Sequence, residues 1–257
     1  MMLEKSCFCD AHFHFIECLT RENVVLKLEN FTEYYGCTCA HSVEEWYNQE
    51  LELEKSGIEK SEKIHILKSF GLHPQNPVVE NAVFLENLLK NGELDAVGEA
   101  GFDFFTDELK QNIERQKEAW HIQVELAAKY QKPLIVHCRK AMSHIFMDIN
   151  TLAKIPAILF HSFSGPIEEA HSVLYRLPEA FFSYGKQILN GNKKVISCME
   201  NLPLKNILLE TDAPFQRLKD EKFTSCREIE RVYGAAFDVR KDLTREILKE
   251  NFFRLYF

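Results

Sequence analysis

Six residues of the types that bind divalent cations each lie at or just beyond the end of a short apolar run. They are His12, His14, Glu99, His137, His161 and Asp212. His12 and His14 have the two-residue period of a strand, so both imidazoles can leave one face and bind one ion. A carboxylate such as Glu99 can bridge two ions, and two ions about 3.5–4 Å apart can activate water and hold a reacting phosphoryl or acyl group. Four imidazoles and two carboxylates suit Zn²⁺, Mn²⁺ or a similar divalent ion such as Mg²⁺.

These residues can meet only if the runs that precede them are parallel strands. Eight strand-like segments are predicted, most of them separated by helical stretches: 7–12, 35–40, 64–72, 96–100, 134–138, 157–161, 180–184 and 206–210. Near-continuous apolar strands that alternate with helices indicate an α/β fold with a parallel sheet. We expect a (β/α)8 TIM barrel formed by residues 1–257 as a single domain, because about 250 residues are typical of that fold and its active site lies at the carboxyl ends of the strands.

Helical periodicity predicts the clearest helices between and after these strands. They span about 43–55, 78–90, 110–130 and 243–251. Ser42 and Glu45 form a capping-box pattern at the start of the first of these helices.

Composition and charge exclude several classes of protein. Of the 257 residues, 46% are hydrophobic and 27% are charged, which argues against disorder, collagen-like repeats and coiled coil. The formal net charge of −8 argues against non-specific coating of nucleic acid or of an anionic membrane. No signal peptide or membrane-spanning run is evident, so the eight cysteines are expected to be reduced thiols of a cytoplasmic protein. No obligate protein partner is evident either.

Five sequence blocks contain the six metal-ligand candidates, and a sixth block contains His73. They are Cys9-Asp10-Ala11-His12-Phe13-His14, Gly71-Leu72-His73-Pro74, Gly98-Glu99-Ala100-Gly101-Phe102-Asp103, Val136-His137-Cys138-Arg139, His161-Ser162-Phe163-Ser164-Gly165 and Leu209-Glu210-Thr211-Asp212-Ala213-Pro214. In content, order and spacing they resemble the TatD family of metal-dependent hydrolases and deoxyribonucleases, from about residue 7 to the end of the chain. The resemblance implies an amidohydrolase-type barrel that hydrolyses phosphodiesters of DNA with two divalent metal ions.

The resemblance also implies how the ligands are divided. Position by position, His12, His14 and Asp212 would hold one ion. His137 and His161 would hold the second ion, and Glu99 would be shared by both. One loop departs from the family pattern, because members usually continue after the Pro214 block with Pro, Gly and Asn residues. Residues 216–222 here read Gln-Arg-Leu-Lys-Asp-Glu-Lys, on the side of the barrel where substrate would bind.

Several residues of these blocks are candidates for catalysis or substrate binding. We expect Asp212 to act as general base, because a carboxylate next to the attacking water can accept its proton. Arg139 can bind a phosphate oxygen through its fork of donors, with an ion pair at the barrel rim as the alternative. His73 can contact substrate, with a hydrogen-bonded loop histidine as the alternative. Asp103 and Glu210 are expected to orient imidazoles of the metal site.

Two segments have a structural interpretation beside a functional one. The segment 37–41, Cys-Thr-Cys-Ala-His, offers three potential zinc ligands and no fourth, so we interpret it as a buried strand. Phe104 and Phe105 can stack on bases, and core packing is the alternative.

Three functions are compatible with this pattern. The first is a deoxyribonuclease that acts in the manner of an exonuclease on single strands or ends. The second is a small-molecule hydrolase that acts on an amide, a lactone or a phosphoester, because metal-activated water does not choose between these bonds. The third is a non-catalytic barrel, against which the intact ligand set argues. A cluster of cations at the mouth would favour the first, and the candidates are Arg139, Lys140, Lys186, Arg217 and Lys219.

Overall fold

A parallel eight-stranded sheet forms the centre of the molecule. The computed structural model describes residues 7–22 and 33–257, so residues 1–6 and 23–32 of the expected domain 1–257 lie outside the described residues. The strands are β1 (Cys7–Phe13), β2 (Glu33–Ala40), β3 (Ile64–Phe70), β4 (Ala96–Asp103), β5 (Leu134–Arg139), β6 (Ile158–Phe160), β7 (Ala180–Tyr184) and β8 (Ile207–Leu209). Each strand pairs in parallel with the next in chain order. The (β/α)8 barrel expected from the sequence is confirmed.

The first and last strands meet at a seam that side chains reinforce. The backbone amide of Thr211 donates to Asp10 Oδ1 at 2.8 Å, and its hydroxyl donates to Asp10 Oδ2 at 2.6 Å. Asp10 is fully buried, so these bonds replace the hydrogen bonds to water that its carboxylate loses on folding. The seam therefore closes at the end of the barrel where His12 and Asp212 lie.

Helices connect successive strands and follow the last one. They are α1 (Phe15–Glu22), α2 (Val43–Ser56), α3 (Ala82–Asn91), α4 (Asp107–Gln111), α5 (Ile113–Tyr130), α6 (Met142–Ile145), α7 (Ile149–Leu152), α8 (Ile167–Arg176), α9 (Lys193–Asn201), α10 (Ile229–Val239) and α11 (Arg245–Tyr256). Short 3₁₀ turns lie at Ile58–Lys60, Val79–Asn81, Phe146–Asp148, Leu204–Asn206 and Cys226–Glu228. Within the described part of the chain, no helix has both the length and the apolar character needed to cross a membrane.

Helix boundaries differ from the sequence-based prediction where side chains compete for backbone groups. The predicted helix 110–130 is divided at Asn112 into α4 and α5. Here the buried Gln116 side chain donates to the carbonyl oxygen of Leu109 at 2.7 Å. The side-chain amide thus replaces the backbone amide that would donate to this oxygen in a continuous helix. The last helix runs beyond 251 to Tyr256. At the start of α2 the cap is confirmed, because Glu45 N donates to Ser42 Oγ at 3.1 Å.

The barrel interior is apolar at the end opposite the metal-ligand candidates. Ile135, Leu159 and Phe181 pack there with Phe252 of α11, which covers this end of the barrel. The hydroxyl of Tyr256 donates to the carbonyl oxygen of Ala11 at 2.6 Å and fixes α11 against β1. All eight cysteines carry free thiols, as expected. The interior is thus a packed core with one polar end.

Candidate metal centre

Glu99, in the middle of β4, lies at the centre of the polar end and is 2% exposed. Its position depends on a close approach between β4 and β5. Gly101 has a φ of 144°, and a Cβ atom there would lie 2.0 Å from the carbonyl oxygen of His137. Only glycine fits at such a point. The glycine therefore brings the carboxylate of Glu99 next to the imidazole near the end of β5.

The Oε1 atom of Glu99 faces the imidazoles of β1. It lies 3.0 Å from His12 Nε2 and 3.3 Å from His14 Nε2. Asp212, which follows β8, places its Oδ1 atom 3.6 Å from His14 Nε2 and 4.0 Å from His12 Nε2. We call His12, His14, Asp212 and this oxygen the first cluster. The amide of Asp212 also donates to the carbonyl oxygen of His12 at 3.0 Å, so the two strands that carry the cluster are joined directly.

The Oε2 atom of Glu99 faces a different pair of imidazoles. It lies 2.9 Å from His137 Nδ1 and 2.6 Å from His161 Nε2. We call His137, His161 and this oxygen the second cluster. The other ring nitrogen of His137 lies 3.1 Å from Asp103 Oδ2, which agrees with the orienting role expected for Asp103. The structure thus brings the other five predicted metal-ligand candidates together around the carboxylate of Glu99.

The donor set and its spacing fit divalent cations. The Nε2 atoms of His12 and His14 lie 3.2 Å apart, and Nδ1 of His137 lies 3.1 Å from Nε2 of His161. Two ring nitrogens and a carboxylate oxygen this close to one another are the kind of donor set that binds a divalent ion. The potential ligand atoms of His12, His14 and Glu99 all lie within 4.8 Å of one another. The cluster is therefore able to bind metal.

Burial and the carboxylates act in opposite directions on these imidazoles. Burial lowers the pKa of His12 to about 4, although Glu99 opposes the change. For His14 and His137, hydrogen bonds to carboxylates outweigh burial and raise the pKa to about 10 and about 9. Burial alone would raise the pKa of Glu99, but the surrounding imidazoles hold it well below its usual range. Glu99 is therefore ionised and places a negative charge between the two clusters.

Two further imidazoles reach Glu99 from the mouth of the barrel. His73 Nε2 lies 3.5 Å from Oε2, and His41 Nε2 lies 3.3 Å from Oε1. His73 therefore lies beside the centre, and its Nδ1 atom also accepts from the amide of Gln75 at 3.2 Å, as a loop histidine would. His41 is a site residue that the sequence interpretation missed. Residues 37–40 do belong to β2, but His41 directly follows that strand, as the predicted ligands follow theirs.

A cavity of about 560 Å³ opens above the two clusters, and Arg139 forms part of its wall. The Nη1 atom of Arg139 lies 3.6 Å from Asp103 Oδ2, and its guanidinium lies 3.9 Å from the ring centre of Phe105. The side chain is still 42% exposed. Because a guanidinium has five donors, one ion pair leaves others free to bind a ligand in the cavity.

The loop after Pro214 reaches back over the mouth through one amide. Gln216 Nε2 donates to Ser162 Oγ at 2.7 Å and to Glu210 Oε1 at 2.9 Å. The hydroxyl of Ser183 donates to Glu210 Oε2 at 2.5 Å. Among the described residues, the Glu210 carboxylate thus binds an amide and a hydroxyl rather than an imidazole, and the expectation that it orients a metal ligand is wrong.

The charged part of the same loop is fixed by a buried ammonium group. Lys186 is almost fully buried, and its Nζ atom lies 2.6 Å from Glu221 Oε2 and 3.2 Å from Glu228 Oε2. Lys186 is therefore part of a structural ion-pair network, and the suggestion that it adds a free cation at the mouth is wrong. The carboxylate of Glu221 therefore has a structural role in this loop.

A parallel barrel with a shared carboxylate between two sets of imidazoles at its carboxyl end defines a class, the TIM-barrel proteins with a metal-binding centre. Comparison with known proteins gives the family. The family model described as TatD related DNase matches residues 9–257. The chain belongs to this family, as the six sequence blocks indicated.

Relatives and a solved structure agree with this assignment. The uncharacterized metal-dependent hydrolase YjjV of Escherichia coli K12 is 29% identical over 193 residues, which cover 70% of this chain and 71% of YjjV. The 3'-5' ssDNA/RNA exonuclease TatD of Erwinia billingiae is 33% identical over 165 residues, which cover only 58% of each chain. The crystal structure of YjjV has the same fold, with a TM-score of 0.79, 23% identity and 97% coverage of both chains.

Proposed function

We propose that this TatD-family hydrolase cleaves phosphodiester bonds of single-stranded DNA or of frayed ends, with two divalent metal ions. The division of the Glu99 carboxylate carries the proposal, because Oε1 faces the first cluster and Oε2 the second. The first cluster would hold one ion, the second cluster the other, and Glu99 both. When bound, two such ions activate an attacking water and neutralise charge on the phosphoryl group. The histidine-rich donor set favours Zn²⁺ or Mn²⁺ over Mg²⁺.

Asp212 is the proposed general base. Its carboxylate lines the cavity and belongs to the first cluster, so it lies where an attacking water would approach. Burial would raise the pKa of Asp212, but His14 and the other imidazoles hold it below its usual value. The carboxylate is therefore ionised at neutral pH and can accept a proton from water.

Arg139 and His73 are the proposed substrate contacts. Both line the cavity beside the second cluster, Arg139 with free donors and His73 next to Glu99. A concave site of this kind admits a single strand more readily than an intact duplex, which would have to unpair. The Erwinia relative is named as an exonuclease of single-stranded DNA and RNA, which supports the same substrate class. Free thiols at all eight cysteines are compatible with the cytoplasmic location we propose.

A second candidate function is hydrolysis of a small ester, amide or lactone by the same centre. It is favoured by the net charge of −8, which repels DNA at long range, and by the Gln216 side chain that narrows the mouth. Either substrate would use the same ligands, so the metal centre alone does not separate the two functions.

Turnover of several substrates by metal-loaded protein tests the proposal. We expect cleavage of a single-stranded oligonucleotide, slower cleavage of the matching duplex, and no cleavage after chelation. Arg139→Ala should lower kcat/KM on the oligonucleotide. The decrease should correspond to a loss of about 1.5–3 kcal/mol of transition-state stabilisation, which is the scale of a charge-assisted hydrogen bond. Arg115→Ala is the matched control, because Arg115 pairs with Glu80 and Glu118 away from the cavity. Hydrolysis of a simple ester, amide or lactone without any cleavage of DNA would replace the nuclease by the second candidate.

A further inference from the structure

A second cavity, of about 550 Å³, lies beside the metal cavity. The two cavities share three wall residues, Cys138, Arg139 and Ser164. We call the second cavity the side cleft. Because the cavities share wall residues, the side cleft directly adjoins the metal cavity.

The side cleft has an excess of positive charge. Arg139, Lys140 and Lys194 line it, and Glu169 is the one carboxylate among its described lining residues. The whole chain carries a net charge of −8, so the composition of this cleft is opposite to the average of the molecule. A local excess of cations next to a reaction centre attracts and aligns a polyanion even when the protein as a whole repels it.

An exposed aromatic ring lies under two of these cations. The guanidinium of Arg139 lies 3.9 Å and the ammonium of Lys140 4.9 Å from the ring centre of Phe105, within the range of cation–π contacts. Phe104 packs against the core as the structural alternative expects, but Phe105 is 53% exposed and is not explained by core packing. The ring holds two cations at the cleft without neutralising them, and exposed aromatic rings beside cations are the usual platform for bases of single strands.

We propose that the side cleft binds the part of a single-stranded nucleic acid that continues from the nucleotide at the metal centre. Lys140 and Lys194 would contact its phosphates, and Phe105 would stack on a base. This inference rests on the proposed function and makes it more specific, because it assigns a site for the strand beyond the cleaved bond. It implies that affinity rises when the strand becomes long enough to leave the metal cavity and enter the side cleft.

Binding without turnover tests this inference separately from catalysis. Chelated, metal-free protein is titrated into fluorescein-labelled oligothymidylates, from a dinucleotide to about ten nucleotides, which is the site size of small single-strand binding folds. The variant is Lys140→Gln with Lys194→Gln, and thermal unfolding checks that it is folded. The control is Lys110→Gln with Lys193→Gln, which changes the charge equally at two exposed lysines that line neither cavity.

The side-cleft variant should bind the longer strand roughly tenfold more weakly than the control, on the scale of two solvent-exposed ion pairs. Its slope of log affinity against log salt should be smaller by about 1.4, which is two phosphates at 0.7 each for a single strand. For the dinucleotide, variant and control should bind equally. Glu169→Gln should act in the opposite direction and strengthen binding of the longer strand.

Equal affinities of variant and control for the longer strand would overturn the inference, whether or not the metal-loaded wild type cleaves DNA. A loss that is as large for the dinucleotide as for the longer strand would also overturn it, because the lysines would then act on the metal cavity itself. Length-dependent binding by a protein that cleaves no DNA supports the side cleft and rejects the nuclease function, so the two failures are distinguishable.

Discussion

The two clusters around Glu99 are built differently on their outer sides. In the second cluster His137 is held at both ring nitrogens, by Glu99 Oε2 at 2.9 Å and by Asp103 Oδ2 at 3.1 Å. The Nδ1 atoms of His12 and His14 in the first cluster, and that of His161 in the second, are buried and have no partner among the described protein groups. The protein therefore fixes the orientation of the His137 ring by itself. The first cluster depends more on the inner carboxylates that its imidazoles face.

The carboxylates of Asp103 and Asp212 also differ in where they lie. Asp103 is fully buried and faces the back of an imidazole, whereas Asp212 faces the cavity. A carboxylate behind a ligand can position it but cannot reach substrate, and one at the cavity can exchange protons with water. The comparison teaches that similar residues at corresponding strand ends can lie on opposite sides of the imidazoles, and this difference predicts a positioning role for Asp103 beside the proposed base Asp212.

Removing the charge of Glu99, which both clusters face, should affect both clusters alike. This substitution should therefore cause the largest loss of bound metal and of turnover. Glu99→Gln keeps the size of the side chain but takes away the anion that both clusters face. We expect bound metal to fall at both sites and turnover to drop by well over about 100-fold, beyond the range seen for outer partners of a metal ligand. Equilibrium dialysis with elemental analysis measures the metal. Glu80→Gln, at an exposed glutamate, is the control, and a variant that keeps the wild-type metal content would contradict a shared role for Glu99.

Asp212→Asn should cause the next largest loss of activity, and added metal should not restore that activity. The variant keeps one oxygen donor but loses the proton acceptor, so kcat should fall by roughly 10²-fold or more even at saturating metal. The acidic limb of the pH–rate profile should also change, because the ionised carboxylate is the group that is removed. Steady-state kinetics over a metal titration and a pH series measure both effects. Turnover near the wild-type rate would rule Asp212 out as the base.

Asp103→Asn should have the smallest of the three effects, and saturating metal should reverse most of it. Loss of a carboxylate behind a metal-binding histidine typically costs about 10–100-fold in metal affinity. We expect one ion to bind more weakly while kcat at saturating metal stays close to wild type. Asp238→Asn is the matched control, because Asp238 is exposed and, within the described part of the chain, its ion pair is with Lys241. If added metal rescues Asp212→Asn and fails to rescue Asp103→Asn, the division of roles described above is reversed.

The ends of the buried strands were the most predictable feature of this chain. Polar residues such as His137 and His161 interrupt apolar runs, and parallel strands bring their carboxyl ends to one mouth, so the six ligand candidates followed from pattern and topology. His41 likewise directly follows β2, but in the sequence it belongs to the segment 37–41, which offers too few ligands for a zinc site. Applying the strand-end rule to it would have found it.

Contacts that depend on a second, distant element were not predictable. The partners of Glu210 are a hydroxyl from β7 and the amide of Gln216 in the loop that departs from the family pattern. Strand period alone cannot say which of several buried donors a carboxylate meets. The break between α4 and α5 has a similar cause, because it depends on where the side chain of Gln116 finds an acceptor.

The seam between β1 and β8 has a consequence for the order of events during protein synthesis. Asp10 and Thr211 are 201 positions apart, and the first cluster takes His12 and His14 from one side of this seam and Asp212 from the other. A ribosome that adds about 5–20 residues per second releases the first strand well before the last. A nascent chain therefore carries two imidazoles of the cluster without its carboxylate. The first cluster becomes complete only when the last strand has left the ribosome and docked, so an unfinished chain would lack one of the two proposed metal sites.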